Sequence, residues 1–261
     1  MSGSIQHILL DIEGTTCPVS FVSEVLFPYA LASLPSYLLN HRDNPRLQEL
    51  QQELLNHWRD EQDPEAQVLW HDALSRVQSS HPDDLLPYLH WLNRRDLKLT
   101  AWKELQGLIW RKGYSCGDLK APLFPEVGNC LRRWHQQGRV LSVYSSGSVA
   151  AQQLLYGHSH AGDLTPLFSH WFDTRIGLKQ ETQSYRHILM ELRAKPDTVL
   201  FISDSLSELR AAAPLGIHCW LSERSDSPSS SACSSTTSEK HGFPCLNRLD
   251  AVDPLLSTTG I

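Results

Sequence analysis

The sequence has no uninterrupted apolar run approaching the roughly 18 residues that a membrane helix requires. Its first residues, Met1 to His7, carry neither the basic start nor the apolar stretch of an export signal. Positive charge is not in surplus: 23 Lys+Arg stand against 29 Asp+Glu, a formal net charge of −6. A chain with that balance has no cationic excess to displace the counterions of a nucleic acid. There is no C-x-x-C pair and no zinc-type Cys/His spacing. The six cysteines, Cys17, Cys116, Cys130, Cys219, Cys233 and Cys245, are scattered, and reduced thiols partly packed in the core are expected. No internal repeat is present. These absences predict a cytoplasmic protein without nucleic-acid or membrane partners, expected to act as a monomer.

What is present is an ordinary globular composition, 41% hydrophobic over 261 residues. That length accommodates one large domain, or a core with a second smaller unit. Ile8-Leu9-Leu10-Asp11 reads as a buried strand stopping at a polar loop, Gly14-Thr15-Thr16. The next hundred residues change character. Leu47, Leu50, Leu54 and Trp58 recur at helical spacing, as do Trp70, Leu74 and Val77, then Leu85, Leu89 and Leu92, then Trp102, Leu105 and Ile109. An all-helical unit over residues 21–120 is predicted, holding five of the eight tryptophans and closed by Gly113 and Gly117.

Beyond Pro125 strands and helices alternate. Strands are predicted at Val140–Tyr144, near Trp171-Phe172, at Val199–Ile202 and at Ile217–Leu221. Helices lie between them, around Val127–Trp134, Val149–Tyr156, Tyr185–Leu192 and Glu208–Ala213. Such alternation predicts right-handed crossovers and an α/β fold, a Rossmann-like parallel sheet covered on both faces. The core is therefore residues 1–20 with 121–261, and the helical unit is inserted after the first strand. Residues 225–238 hold eight serines and two threonines and read as a solvated loop, extending to about residue 240. Phe243 to Val252 is expected to return to the sheet edge.

In open parallel sheets ligands bind beyond the carboxyl ends of the strands. Asp11 and Glu13 follow the first strand, Ser145-Ser146-Gly147 the second, and Ser203-Asp204 the fourth, with Glu208 four residues later and Lys179 on an intervening loop. Each residue alone has an ordinary explanation as a turn former, helix cap or solvated charge. Their joint order does not. It resembles the haloacid dehalogenase superfamily of Asp-nucleophile phosphohydrolases. More closely, Asp11-Ile-Glu-Gly-Thr-Thr16, Tyr144-Ser-Ser-Gly-Ser-Val149, Phe172-Asp-Thr174, Lys179 with Ser184-Tyr185, and Phe201-Ile-Ser-Asp204 resemble the enolase-phosphatase E1 family of methionine salvage. The similarity extends to Phe27-Pro-Tyr-Ala30 and to Gln106-Gly107 through Leu119-Lys120, and thins in the serine-rich segment.

The resemblance implies that Asp11 attacks phosphorus and that water then cleaves the aspartyl-phosphate. It implies Mg²⁺ held by the carboxylates of Asp11 and Asp204 and the backbone carbonyl of Glu13. Ser145, the N–H groups of Ser146 and Gly147, and Lys179 would bind phosphate. Glu208 would support the metal's water shell or orient Lys179, or else lie exposed on its helix. Glu13, where most of the superfamily has Asp, is expected to help move a carbon-bound proton. The implied substrate is 2,3-diketo-5-methylthiopentyl-1-phosphate, enolised and then hydrolysed to an acireductone. The alternative is another capped Mg²⁺-dependent phosphatase acting on a different small phosphomonoester. The helical unit would cap the site, with Trp102 and Trp110 in its own core and Gly113-Tyr114 facing the substrate.

Overall fold

A computed structural model describes residues 4–76, 84–95, 97, 99–224 and 238–257. Val77, Cys233 and the serine-rich residues 225–237 lie outside the described residues. The chain forms two compact units: Ser23–Asp118, and Met1–Val22 together with Leu119–Ile261.

The first of these is helical, with α1 (Phe27–Asn40), α2 (Pro45–Asp60), α3 (Pro64–Ser75), α4 (Leu86–Arg94) and α5 (Thr100–Cys116). Helices α2 and α3 start where local chemistry starts them. The side chain of Asn44 accepts from the N–H groups of Arg46 and Leu47, and that of Asp63 from Glu65 and Ala66. Proline follows each cap at the position where its missing N–H costs nothing. Leu47, Leu50, Leu54 and Trp58 form the buried stripe of α2. Trp58 stacks on Tyr88 at 5.1 Å between centroids and meets the edge of Trp70 at 5.4 Å, while Tyr88 stacks on Trp91 at 5.6 Å. Trp102 donates to Asn93 Oδ1 at 2.9 Å and Trp110 to the Leu26 carbonyl at 2.8 Å. The tryptophans of this stretch are its core.

Two expectations change here. Gly113 does not close a helix but lies within α5, and Gly117, at φ 87°, makes the left-handed cap instead. Nor does Gly113 present an open face: a Cβ there would come within 2.7 Å of the Tyr29 ring, whose hydroxyl donates to Asp118 Oδ2 at 3.0 Å. The helical stretch Phe21–Asn40, 20 residues with mean hydropathy 1.2, is long and apolar enough to cross a membrane. Helices of soluble proteins meet the same criterion, and this one carries Glu24, Pro28 and Pro35.

Among the described residues the other unit has seven strands: β1 (His7–Leu10), β2 (Val140–Tyr144), β3 (Phe168–Phe172), β4 (Val199–Ser203), β5 (His218–Ser222), β6 (Ser238–Lys240) and β7 (Phe243–Leu246). Their order is β3-β2-β1-β4-β5-β7-β6, all parallel except β6, which runs antiparallel to β7. The α/β parallel sheet read from the alternation is therefore present. Strand β3 begins three residues earlier than its predicted core. The expected return of the chain after Phe243 is β7, which pairs with β5 while β6 takes the outer edge. The helices are α6 (Val127–Gln136), α7 (Val149–Gly157), α8 (Thr182–Leu192), α9 (Leu206–Ala212) and α10 (Asp253–Ser257).

Strand β1 is central, with Ile8 opposite Leu141 on one side and Leu200 on the other. A strand covered on both faces must be apolar throughout, and Ile8, Leu9 and Leu10 are all fully buried. On one face Leu9, Tyr144, Phe172 and Phe201 pack against Tyr185, Ile188 and Leu189 of α8 and Leu209 of α9. Because β2 and β4 lie on opposite sides of β1, the crossovers reverse there, which opens a crevice beyond its carboxyl end. Asp11 is the first residue into that crevice.

Candidate active site

Asp11 is held by the strand beside it and by the loop it begins. Its N–H donates to the Ile202 carbonyl at 3.0 Å, and its own Oδ1 accepts from the Ile12 N–H at 2.8 Å. The same oxygen accepts from Lys179 Nζ at 2.6 Å, with both side chains 7% exposed. Lys179 also reaches Glu208 Oε2 at 2.8 Å. The Ser203 hydroxyl lies between the two carboxylates, 3.1 Å from Asp11 Oδ2 and 2.8 Å from Glu208 Oε2, and accepts from the Ser205 N–H. The alternative in which Glu208 is an exposed helix residue is thereby excluded, since it is buried against the lysine.

The lysine owes its position to side chains packed behind it. Tyr144 at the end of β2 donates to the Gly177 carbonyl at 2.9 Å, Ser184 to Leu178 at 2.7 Å and Tyr185 to Lys179 at 2.8 Å. Gly177 has φ 141°, and a Cβ there would fall 2.2 Å from Ser184 Oγ, so only glycine lets the loop pass. Burial alone would push the Lys179 ammonium down; the charges of Asp11 and Glu208 push it up and prevail. Burial raises Glu208 first, with Asp11 adding to it and Lys179 opposing.

Asp204 follows β4. Burial, then the charges of Asp11 and Glu13, push its carboxyl up to about 7. It lies against Gly14, where a Cβ would stand 2.1 Å from its Oδ2. Gly14, at φ 66°, belongs to a tight loop in which the Ile12 carbonyl accepts from the N–H groups of Thr15, Thr16 and Cys17. Glu13 is the half-buried residue in the middle of that loop.

Ser145 is buried at the end of β2, and its N–H donates to the Phe172 carbonyl at 3.2 Å. Its Oγ accepts from the Gly147 N–H at 3.2 Å, which leaves the hydroxyl proton to donate elsewhere. The expected anion site at Ser146 and Gly147 is altered by this geometry. The Gly147 N–H is engaged with Ser145, and the helix begins at Val149, whose N–H goes to Asp173 Oδ2 at 3.2 Å, while Ser148 caps Ala151. Gln152 ties the loop down, donating to the Gly147 and Phe172 carbonyls at 2.8 Å each.

A buried carboxylate, a buried lysine, an adjacent hydroxyl and a second acid thus gather beyond the carboxyl ends of neighbouring strands. The haloacid dehalogenase-like hydrolase family matches residues 5–216. Enolase-phosphatase E1 of Parasynechococcus marenigrum (strain WH8102) is 46% identical over 87% of this chain and 93% of its own. The chain belongs to the enolase-phosphatase E1 family. The enolase-phosphatase E1 of Synechococcus sp. (strain RCC307) is 48% identical, covering 86% of this chain and 88% of its own. The crystal structure of the UTR4 protein from Saccharomyces cerevisiae is similar with a TM-score of 0.65 and 34% identity, covering 85% of this chain and 92% of that one. A dehalogenase with an intermediate complex, at TM-score 0.54 and 16% identity over 99% of this chain and 100% of that one, shares the fold alone. As a member of the enolase-phosphatase family the chain is a phosphatase acting on a small phosphorylated substrate.

The donor set of this enolase-phosphatase suits a hard divalent cation. Among the described residues no three His, Cys, Asp or Glu side chains converge as a metal cage. What exists is sparser: two carboxylates, Asp11 and Asp204, and the carbonyl-bearing loop at Glu13, with Asp204 seated on Gly14. Two buried carboxyl groups, Asp11 and Glu208, and the half-buried Asp204 surround one ammonium, and burial followed by this negative excess raises the Asp204 carboxyl. None of the described cysteines is in a disulfide, and burial pushes the Cys17 and Cys219 thiols up to about 12, which makes them inert. Sequence reasoning gave no role to Ser203, Tyr144, Asp173 or Gln152. Ser203 had a signal, as a hydroxyl ending a buried strand directly before Asp204. The others act by contacts that no spacing encodes.

Proposed function

We propose that the chain enolises 2,3-diketo-5-methylthiopentyl-1-phosphate and hydrolyses the enol phosphate to 1,2-dihydroxy-3-keto-5-methylthiopentene and phosphate, in methionine salvage. The observation that carries this reading is the buried Asp11 carboxylate, oriented by Lys179 and Ser203 and followed two residues later by Glu13 rather than Asp. An aspartate and a phosphate monoester are both anions, so their approach requires neutralisation. Lys179 supplies a fixed positive charge at the attacking oxygen's partner, and Ser145 offers its remaining proton to a phosphate oxygen.

Asp11 forms a bond to phosphorus as the ester P–O bond breaks, and the leaving oxygen takes a proton from solvent water. Water then attacks the aspartyl-phosphate, releasing phosphate and restoring the carboxylate. Glu13, one methylene longer than Asp, moves the proton from carbon to oxygen in the preceding enolisation. Mg²⁺ would be held by the Asp11 and Asp204 carboxylates and the Glu13 carbonyl, and when bound it supplies charge neutralisation on phosphate and enolate oxygens.

The test is turnover of the diketone phosphate with diketone loss, enol absorbance and free phosphate followed together. A transient enol that needs Mg²⁺ supports the reading. Phosphate release with no enol signal would replace it with another capped phosphatase. Full phosphate release by Asp11→Asn would overturn the site itself.

A further inference from the structure

The loop that carries Glu13 is gripped from a strand end on which sequence reasoning placed nothing. Strand β5 finishes at Ser222, and two residues later Arg224 turns inward, 3% exposed. A buried guanidinium is tolerated only when its donors are matched. Those of Arg224 are: Nε and Nη2 donate to the Thr15 carbonyl at 3.2 and 2.8 Å, and Nη1 to the Asn247 carbonyl at 2.7 Å and to Glu126 Oε1. The Phe124 ring lies 4.5 Å beneath it. Ser222 donates to the preceding carbonyl, Gly14, at 2.9 Å. Glu126 also accepts from the Leu249 N–H at 3.0 Å, and the Phe124 N–H donates to Thr16 at 3.1 Å. Three successive carbonyls, Gly14, Thr15 and Thr16, are therefore fixed from outside the loop. Neither Ser222 nor Arg224 touches Asp11, Lys179 or Ser145, which are carried by other strand ends and loops.

We infer that Arg224, assisted by Ser222, is a positioning residue that sets the Glu13 carboxylate for proton transfer by pinning the peptide planes that follow it in the loop. This rests on the reading of Glu13 as the proton-moving group. A bidentate guanidinium holds a carbonyl in one orientation, which a point donor such as lysine does not.

The test compares wild type, Arg224→Met, Arg224→Lys, Ser222→Ala, Glu13→Gln and the Glu13→Gln/Arg224→Met double variant, each at saturating Mg²⁺. Enolisation of the diketone phosphate is followed beside hydrolysis of p-nitrophenyl phosphate, whose leaving group departs without a proton. Arg224→Met is expected to lower the enolisation kcat at least 10-fold with KM within 2-fold, and p-nitrophenyl phosphate hydrolysis by less than 3-fold. Arg224→Lys should fall between it and wild type. The double variant should enolise no more slowly than Glu13→Gln alone, because the arginine acts through a carboxylate no longer there. Amide exchange in a peptide spanning residues 11–18 should accelerate in Arg224→Met without metal or substrate. If Arg224→Met does not fold, Ser222→Ala carries the same comparison with an expected 3- to 10-fold loss. Equal losses in both reactions, or losses that multiply in the double variant, would overturn the inference while leaving Glu13 in its role. Wild-type enolisation by Glu13→Gln would remove both.

Discussion

Lys179 Nζ stands 2.6 Å from Asp11 Oδ1 and 2.8 Å from Glu208 Oε2, so one buried ammonium serves two carboxylates, one just after β1 and one on α9. Removing one partner of a buried ion pair leaves the other charge uncompensated, at a cost of about 3–5 kcal/mol. Lys179→Met should therefore be destabilised by about 3 kcal/mol in urea unfolding of metal-free protein. Its phosphate release should fall at least about 1000-fold, as expected when a group that stabilises developing charge is lost.

Ser203 offers a gentler perturbation of the same centre. Ser203→Ala removes the hydroxyl between Asp11 and Glu208 but keeps every charge. A lost buried hydrogen bond costs about 1–2 kcal/mol. Denaturant midpoints should drop accordingly, and kcat/KM should fall about 10-fold as Asp11 gains orientational freedom.

Gly14→Ala would place a methyl group 2.1 Å from Asp204 Oδ2 at φ 66°. The left-handed conformation alone costs a residue with Cβ about 1–2 kcal/mol, and Asp204 has to move. The Mg²⁺ concentration for half-maximal activity should rise about 10-fold or more, about 1.4 kcal/mol per decade. Thermal denaturation gives an independent check: Mg²⁺ should raise the wild-type midpoint by mass action and leave Asp204→Asn unmoved. An equal rise in Asp204→Asn would dismiss the assigned metal ligand.

Asp173 caps the helix that follows the Ser145 loop. Burial pushes its carboxyl up, but hydrogen bonds from Arg175 and from the Val149 N–H hold it below the ordinary aspartate value. A depressed folded value means that the charged form stabilises the fold. That contribution is complete above the unfolded value, about 3.9, and is lost as pH falls through the folded one. Asp173→Asn should thus be less stable than wild type by about 1 kcal/mol at pH 7, the usual worth of such a cap. The gap should close below about pH 4 in denaturant titrations, since protonation then costs the wild type the same interaction.

The alternation of strands and helices after Pro125 was readable because each strand is a short apolar run closed by turn residues. Asp11, Lys179 and Asp204 stood out as charged groups at positions where a parallel sheet places ligands. Ser203 was visible as a hydroxyl ending a strand, but its role was not, because its partner Asp11 is 192 residues away and only strand pairing brings them together. Gly113 misled for a local reason. A glycine inside a helix looks like a terminus until the Tyr29 ring packed on it supplies the reason for its missing side chain. The Ser145 loop was legible as polar, but which acceptor each N–H takes depends on Asp173 and Gln152. Arg224 carried no signal in the sequence, because its burial depends on Thr15, Glu126 and Asn247 meeting around it.

The central place of β1 has a consequence for how the protein is made. Its neighbours in the sheet begin at Val140 and Val199, so Ile8, Leu9 and Leu10 emerge from the ribosome long before anything can cover them. At roughly 5–20 residues per second the wait is on the order of 10–40 seconds. During it the helical stretch of Ser23–Asp118 is synthesised in full and can fold on local contacts, which form quickly. The strand that carries Asp11 is therefore made well before β2 and β4, the two strands that flank it.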